Sequence, residues 1–144
     1  RCLFKSTHHD TFNLGFFIKN NKKKFIKTLQ PIYEAIKITR KKLNKEKSLI
    51  SFVGAPWTLI VYMFDLKKNN DQLNTSKLKK FEPQIKIVLE KIIEYLCTHI
   101  INQKKAGANI VQIFDSWAGL IPKRKLFDYC YKPNKKIVDF CKKK

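Results

Sequence analysis

Apolar positions recur along this chain with two different periods, and the changes of period mark out its elements. Leu29, Ile32, Tyr33, Ile36 and Leu43 fall at helical spacing, with Pro31 suited to a first turn. Lys41, Lys42 and Lys45 lie near the end of that helix, where cations suit its dipole. The preceding stretch, Phe16 to Lys27, is mixed and basic and predicts one or two helical turns. The period then shortens. Leu49 to Val53 is apolar on both faces and ends at Gly54, as expected of a strand covered on both sides in a parallel sheet. Pro56 opens a second apolar stretch, Trp57 to Leu66, which reads as a short helix after a tight turn. Lys67 to Ser76 is polar and reads as a loop.

The longest element runs from Lys77 to Lys105 and is divided by Pro83. Ile85, Val88, Leu89, Ile92, Leu96 and Ile100 form one stripe, Glu82 and Pro83 suit the start, and Gly107 suits the stop. His99 lies beside this stripe and reads as a packed, hydrogen-bonded core histidine. A second buried-looking strand follows, Ile110 to Phe114, ending in the polar turn Asp115-Ser116. Two helices close the chain, Lys123 to Cys130 and Asn134 to Lys142, with Pro133 between them. Alternation of this kind predicts parallel strands joined by helical crossovers. Two such strands do not cover themselves, so the pattern expects a slice of a larger α/β sheet or barrel.

Composition changes this picture little. The 144 residues, 44% hydrophobic, suffice for one core. The formal net charge of +20 raises two functional readings, nucleic acid or an anionic substrate. Only Arg1, Arg40 and Arg124 are arginines, whereas specific base and phosphate recognition leans on the arginine fork. The lysines are interspersed with apolar stripes, and the commoner reading is a solvated surface. Cys2, Cys97, Cys130 and Cys141 form no C-x-x-C pair, and His8, His9 and His99 are not at ligand spacing with them, so neither a metal site nor a disulfide framework is expected. Residues 1 to 18 lack the pattern of a signal peptide, and no stretch approaches the roughly 20 apolar residues of a membrane span. A reduced, cytoplasmic setting is the expectation.

Two segments are more specific than any periodicity. Phe52 to Met63 reads FVGAPWTLIVYM, and Gly107 to Gly119 reads GANIVQIFDSWAG. They resemble the F-x-G-x-P-W-T-L-x-x-Y-M and Q-I-F-D-S-W-A-G signatures of the uroporphyrinogen decarboxylase family, in family order and with a family-like spacer. Tyr33 to Arg40, YEAIKITR, is similar to the helix before the first motif. The resemblance covers about residues 29 to 142. It implies a (β/α)8 TIM barrel, of which residues 16 to 144 would be a fragment carrying the third and fourth strands. Residues 1 to 15 stay unassigned.

The resemblance further implies a carboxy-lyase that removes CO2 from the four acetate side chains of uroporphyrinogen III, giving coproporphyrinogen III without metal or organic cofactor. The whole enzyme would be a homodimer. Tyr62 and Ser116 correspond to hydroxyls that contact substrate carboxylates, and Phe52 to an aromatic lining the cleft. Each has a plainer alternative: Tyr62 as packing, Ser116 as a helix N-cap, Phe52 as core. Trp57 and Trp117 read as structural. Asp115 is a tempting acid or base, but the resemblance assigns the central carboxylate elsewhere. No counterpart is visible for the family's arginine-bearing segment, central aspartate or late histidine, so no catalytic residue is expected in this piece, which by itself should be inactive. The family's Gly-rich run after Tyr-Met is replaced by Phe64 to Lys68. The runner-up functions are a corrinoid or coenzyme M methyltransferase of the same superfamily and a basic helical nucleic-acid-binding module. Tyr62 and Ser116 are expected on the same side of the sheet, at the carboxyl ends of two adjacent parallel strands.

Overall fold

The structure is a computed structural model, and it describes residues 22–68 and 72–144. The unassigned first 15 residues, Cys2 and His8-His9 lie outside the described residues. Helix α1 (Lys22–Lys42) leads into strand β1 (Ile50–Gly54) and helix α2 (Pro56–Met63). Helices α3 (Thr75–Lys80) and α4 (Glu82–Ala106) follow, then strand β2 (Ile110–Phe114). A 3-10 turn (Ala118–Leu120) precedes a closing helical run, made of α5 (Lys123–Leu126), a π-helical turn (Phe127–Tyr131) and α6 (Lys132–Lys142).

The two strands are adjacent and parallel, in the register Ile50↔Ile110 to Gly54↔Phe114, as the crossover length predicts. The architecture is therefore α/β, a two-stranded parallel sheet with helices. Ala55 N–H donates to the Phe114 carbonyl at 2.8 Å and carries the pairing past the end of β1. Coverage on both faces is not observed. Ser51 and Val53 turn toward the helices and are buried, whereas Ile50, Phe52, Ile110 and Phe114 line an open face. Phe52 is 68% exposed, its ring edge-on to Phe114 with centroids 5.8 Å apart. Within a strand the side chains alternate, so helices packed on one face cannot cover the other.

The main core lies between the covered sheet face, α2, α4 and the closing helices. It includes Val53, Trp57, Ile60, Ile85, Val88, Ile92, Trp117 and Ile137. The stripe expected on α4 is the one buried, and the helix stops at Gly107 in the left-handed conformation, φ 115°. A side chain there would be strained, and its Cβ would lie 2.8 Å from Arg40 Cγ.

Two proline positions differ from expectation. Pro31 is interior to the 21-residue α1 rather than in its first turn. An interior proline costs roughly 3 kcal/mol of helix stability. Tertiary packing offsets this: Phe25 rests against Tyr95 with ring centroids 4.7 Å apart, and Tyr33 and Ile36 are buried farther along. Pro133 does not separate two helices. The π-helical turn immediately before it shifts the bonding register, with Lys132 N–H donating to the Phe127 carbonyl. The wider turn accommodates a ring that would strike the carbonyl four residues back in a regular helix.

His99 is buried on α4, with Tyr33 Oη 2.9 Å from its Nδ1 and Gln103 Nε2 2.9 Å from its Nε2. An amide nitrogen can only donate, so Nε2 accepts from Gln103 and Nδ1–H donates to Tyr33, which fixes the neutral tautomer. Burial pulls the His99 pKa down from 6.5 to about 4. The unfolded chain therefore takes up a proton that the folded chain refuses. Stability should be full above the ordinary histidine value and fall as pH drops from 6.5 toward about 4, by up to ~3 kcal/mol. Urea unfolding at neutral and mildly acidic pH, compared with His99→Gln, checks this; the variant should lose most of the slope in that window.

Candidate functional site

The site is built where the two strands end. Gly54, Ala55 and Pro56 turn the chain from β1 straight into α2, with Pro56 in the first turn of the helix. A Cβ on Gly54 would lie 3.2 Å from Leu59, so a small residue suits this close strand-to-helix approach. After β2, Ala118 N–H donates to the Asp115 carbonyl at 3.2 Å and closes a turn over Asp115 to Ala118. Ser116 sits at the second position of that turn, exposed. It is not a helix N-cap, because the 3-10 turn that follows is preceded by Trp117 and has no side-chain cap.

Tyr62 is 61% exposed on α2, and its ring stands edge-on to Trp117, with centroids 6.0 Å apart at 90°. Tyr62 and the residue following Ser116 are therefore in contact, on one side, past the carboxyl ends of both strands. Phe52 lies on the open face just before β1 ends, not in the core. The structure thus leaves all three candidates, Phe52, Tyr62 and Ser116, accessible at or near one edge of the sheet.

The residues between them act as a frame. Trp57 is fully buried and its indole N–H donates to the Trp117 carbonyl at 3.1 Å. Thr58 Oγ1 donates to Asp115 Oδ1 at 2.9 Å, and Asn134 Nδ2 to Asp115 Oδ2 at 3.3 Å. Asp115 thus ties α2 to α6 through the end of β2. Burial, and next to it the charge of Asp115, raise the Cys130 thiol to about 12. Burial also raises Cys97 to about 11, so both stay protonated thiols rather than nucleophiles. Sequence reasoning missed this clasp, although its signal was present: Trp57-Thr58 and Asp115-Ser116-Trp117 are the centres of the two motifs.

At the opposite edge of the sheet, Arg40 has a structural role. Its guanidinium donates to the carbonyls of Leu43, Asn44 and Lys47 and to Asn109 Oδ1, at 2.7 to 3.1 Å. Asn109 Oδ1 also accepts from Leu49 N–H at 2.9 Å. Arg40 therefore fixes the entry to both strands. Glu82 plays a similar part at the start of α4, accepting from Lys125 at 2.6 Å and Tyr129 Oη at 2.9 Å. The hydrogen bonds from Lys125 and Tyr129 hold its carboxyl below the usual range. Among the described residues no three His, Cys, Asp or Glu side chains converge as a metal site would need. No described helix is long and apolar enough to cross a membrane.

A parallel strand–helix–strand unit with exposed polar and aromatic groups at the carboxyl ends of its strands defines the class, an α/β protein. The chain belongs to the uroporphyrinogen decarboxylase (URO-D) family, whose model matches residues 16–144. It is 42% identical over 121 residues to uroporphyrinogen decarboxylase of Orientia tsutsugamushi (strain Ikeda), a match over 81% of this chain and 34% of that protein. Against the enzyme of Rickettsia bellii it is 43% identical over 112 residues, covering 76% and 33%. Against that of Campylobacter hominis it is 41% identical over 122 residues, covering 84% and 36%. The chain spans about a third of the length of these curated relatives.

The clasp generates a prediction. Asp115→Ala leaves the Thr58 hydroxyl and the Asn134 amide without their acceptor between packed helices. That should lower unfolding stability by about 2 kcal/mol, with Asp115→Asn losing less. Denaturant midpoints of the two variants measure it.

Proposed function

We propose that this chain supplies the third and fourth strands of a (β/α)8 barrel in a uroporphyrinogen decarboxylase, and that its share of the reaction is to bind and orient the substrate. Residues 16–144 belong to the barrel domain in this reading, and residues 1–15 are a segment preceding it. The substrate is uroporphyrinogen III, a tetrapyrrole with eight carboxylates, and the product is coproporphyrinogen III. The Tyr62 and Ser116 hydroxyls donate to substrate carboxylates, and Phe52 offers a flat apolar wall to the macrocycle. The observation that carries this reading is the contact of Tyr62 with Trp117, the neighbour of Ser116, at the carboxyl edge of two parallel strands. In barrels of this type functional residues gather at that edge.

The chemistry explains the division of labour. As CO2 leaves, negative charge develops on the carbon that held it, and a protonated pyrrole ring absorbs that charge. Stabilising the cationic ring needs a carboxylate aimed at its centre, and arginines must hold the remaining substrate carboxylates. Neutral hydroxyls orient but cannot supply that field. Asp115 accepts from Thr58 and Asn134, which supports a framing role for it, and Arg40 is engaged at the far edge of the sheet.

The test uses the 144-residue chain with uroporphyrin III as a fluorescent ligand. Binding should be measurable at low salt and fade as salt rises, and Tyr62→Phe and Ser116→Ala should each weaken it about three- to tenfold. Supplied with uroporphyrinogen III, these residues alone should form no partly decarboxylated product above background. Turnover would overturn the binding-only role, and unchanged affinity in both variants would overturn the site.

A further inference from the structure

We infer that Trp117 is a positioning residue for Tyr62, its indole holding the phenol in a single rotamer and so keeping the hydroxyl aimed at a substrate carboxylate. The inference rests on the reading of Tyr62 as a substrate contact and extends it to the residue that sets its geometry. Tyr62 lies in the last turn of α2 and is 61% exposed, so helix packing does little to fix its side chain. Among the described residues its ring meets one aromatic neighbour, Trp117, with centroids 6.0 Å apart and planes at 90°. An exposed tyrosine at a helix end otherwise samples two or three staggered wells about χ1. The edge-on arrangement is one that ring quadrupoles favour, and it selects a single well.

A positioning group must itself be held, and Trp117 is. It is 7% exposed and belongs to the main core. Its carbonyl accepts from the Trp57 indole N–H at 3.1 Å and from Leu120 N–H at 3.2 Å. Trp57 is fully buried and stands edge-on to Tyr129, with centroids 5.4 Å apart, so that donor is fixed in turn. Lys67 Nζ lies over the Trp117 ring, 5.4 Å from its centroid, and this cation–π contact further restrains the indole. A tryptophan so nearly buried offers a ligand little surface of its own. Its effect on binding runs through the phenol it orients. Loss of the indole would lower the competent fraction of Tyr62 to about a half or a third, and apparent affinity would fall by the same factor. A tryptophan that served the fold alone would change stability and leave the Tyr62 rotamer as it is.

The experiment uses the 144-residue chain as wild type, Trp117→Leu, Trp117→Phe, Tyr62→Ala and the double variant Tyr62→Ala with Trp117→Leu. None of these changes the net charge, so differences in uroporphyrin III binding do not arise from it. Three-bond Hα–Hβ couplings report the Tyr62 χ1 rotamer, and fluorescence titration reports affinity. Wild type and Trp117→Phe should show one Tyr62 rotamer, and Trp117→Leu an average of several. Trp117→Leu should bind uroporphyrin III about two- to threefold more weakly than wild type, Trp117→Phe like wild type, and the double variant no more weakly than Tyr62→Ala. Thermal melts establish that each variant is folded, and Trp117→Met takes the place of Trp117→Leu should that one unfold. A single Tyr62 rotamer in Trp117→Leu, with Tyr62→Ala still impaired in binding, overturns the positioning role and leaves the site standing. Losses that add in the double variant overturn it too, because the indole then acts without Tyr62. Wild-type affinity in Tyr62→Ala, or no binding by wild type, overturns the site and with it the role of Trp117.

Discussion

Parallel pairing of β1 with β2 is the constraint from which the rest of the structure follows. Parallel neighbours cannot be joined by a tight turn, because the chain must return from the end of one strand to the start of the next. Here the return is made by α2, α3 and the 25-residue α4. The packing of α4 on the sheet then determines which strand faces are covered. Ser51, Val53, Val111 and Ile113 turn toward the helices, and the alternate residues Ile50, Phe52, Ile110 and Phe114 are left on the other face. The same pairing brings the carboxyl ends of both strands to one edge. Tyr62 and Trp117, the residue after Ser116, are far apart in the sequence and come into contact there.

The two edges of the sheet are secured by different chemistry. At the amino edge a charged group does the work: Arg40 gathers three carbonyls and Asn109, and so ties the end of α1 to the entry of both strands. At the carboxyl edge the fastening is a carboxylate and an indole. Asp115 accepts from Thr58 and Asn134, and Trp57 reaches the carbonyl of Trp117. Fastening the second edge from beneath leaves Tyr62 and Ser116 exposed above it. The frame engages the polar groups that pack inward and leaves those that project outward exposed.

Much of this was legible in the sequence. Both strands were readable because short apolar runs ending at Gly54 and at Asp115 fit nothing else at that length. Pro83 and Gly107 bounded α4 through local backbone chemistry, which needs no knowledge of the fold. His99 was readable as a core residue from its place beside the buried stripe. The errors lie where tertiary contacts override local preference. Pro31 suggested a helix start, yet Phe25 packing on Tyr95 carries α1 back to Lys22. Pro133 suggested a break, yet one π-helical turn absorbs it. Neither outcome is encoded within a few residues of the proline. Coverage of both strand faces was likewise expected from an apolar run on both sides of the strand, and such a run does not say which layer is present.

The candidate site divides in the same way. Phe52, Tyr62 and Ser116 came from matching motifs, and the plainer alternatives for Phe52 and Ser116 fail on geometry, since one is exposed and the other caps no helix. Asp115 could not be sorted by type. A carboxylate beside a serine at a strand end looks like chemistry. Its partners decide otherwise. Asp115 has both oxygens accepting from helices on either side, so its charge stabilises the frame. At a strand end, whether a charged residue serves the fold or a ligand is determined by which way its polar atoms are already engaged, and for Asp115 they are engaged inward.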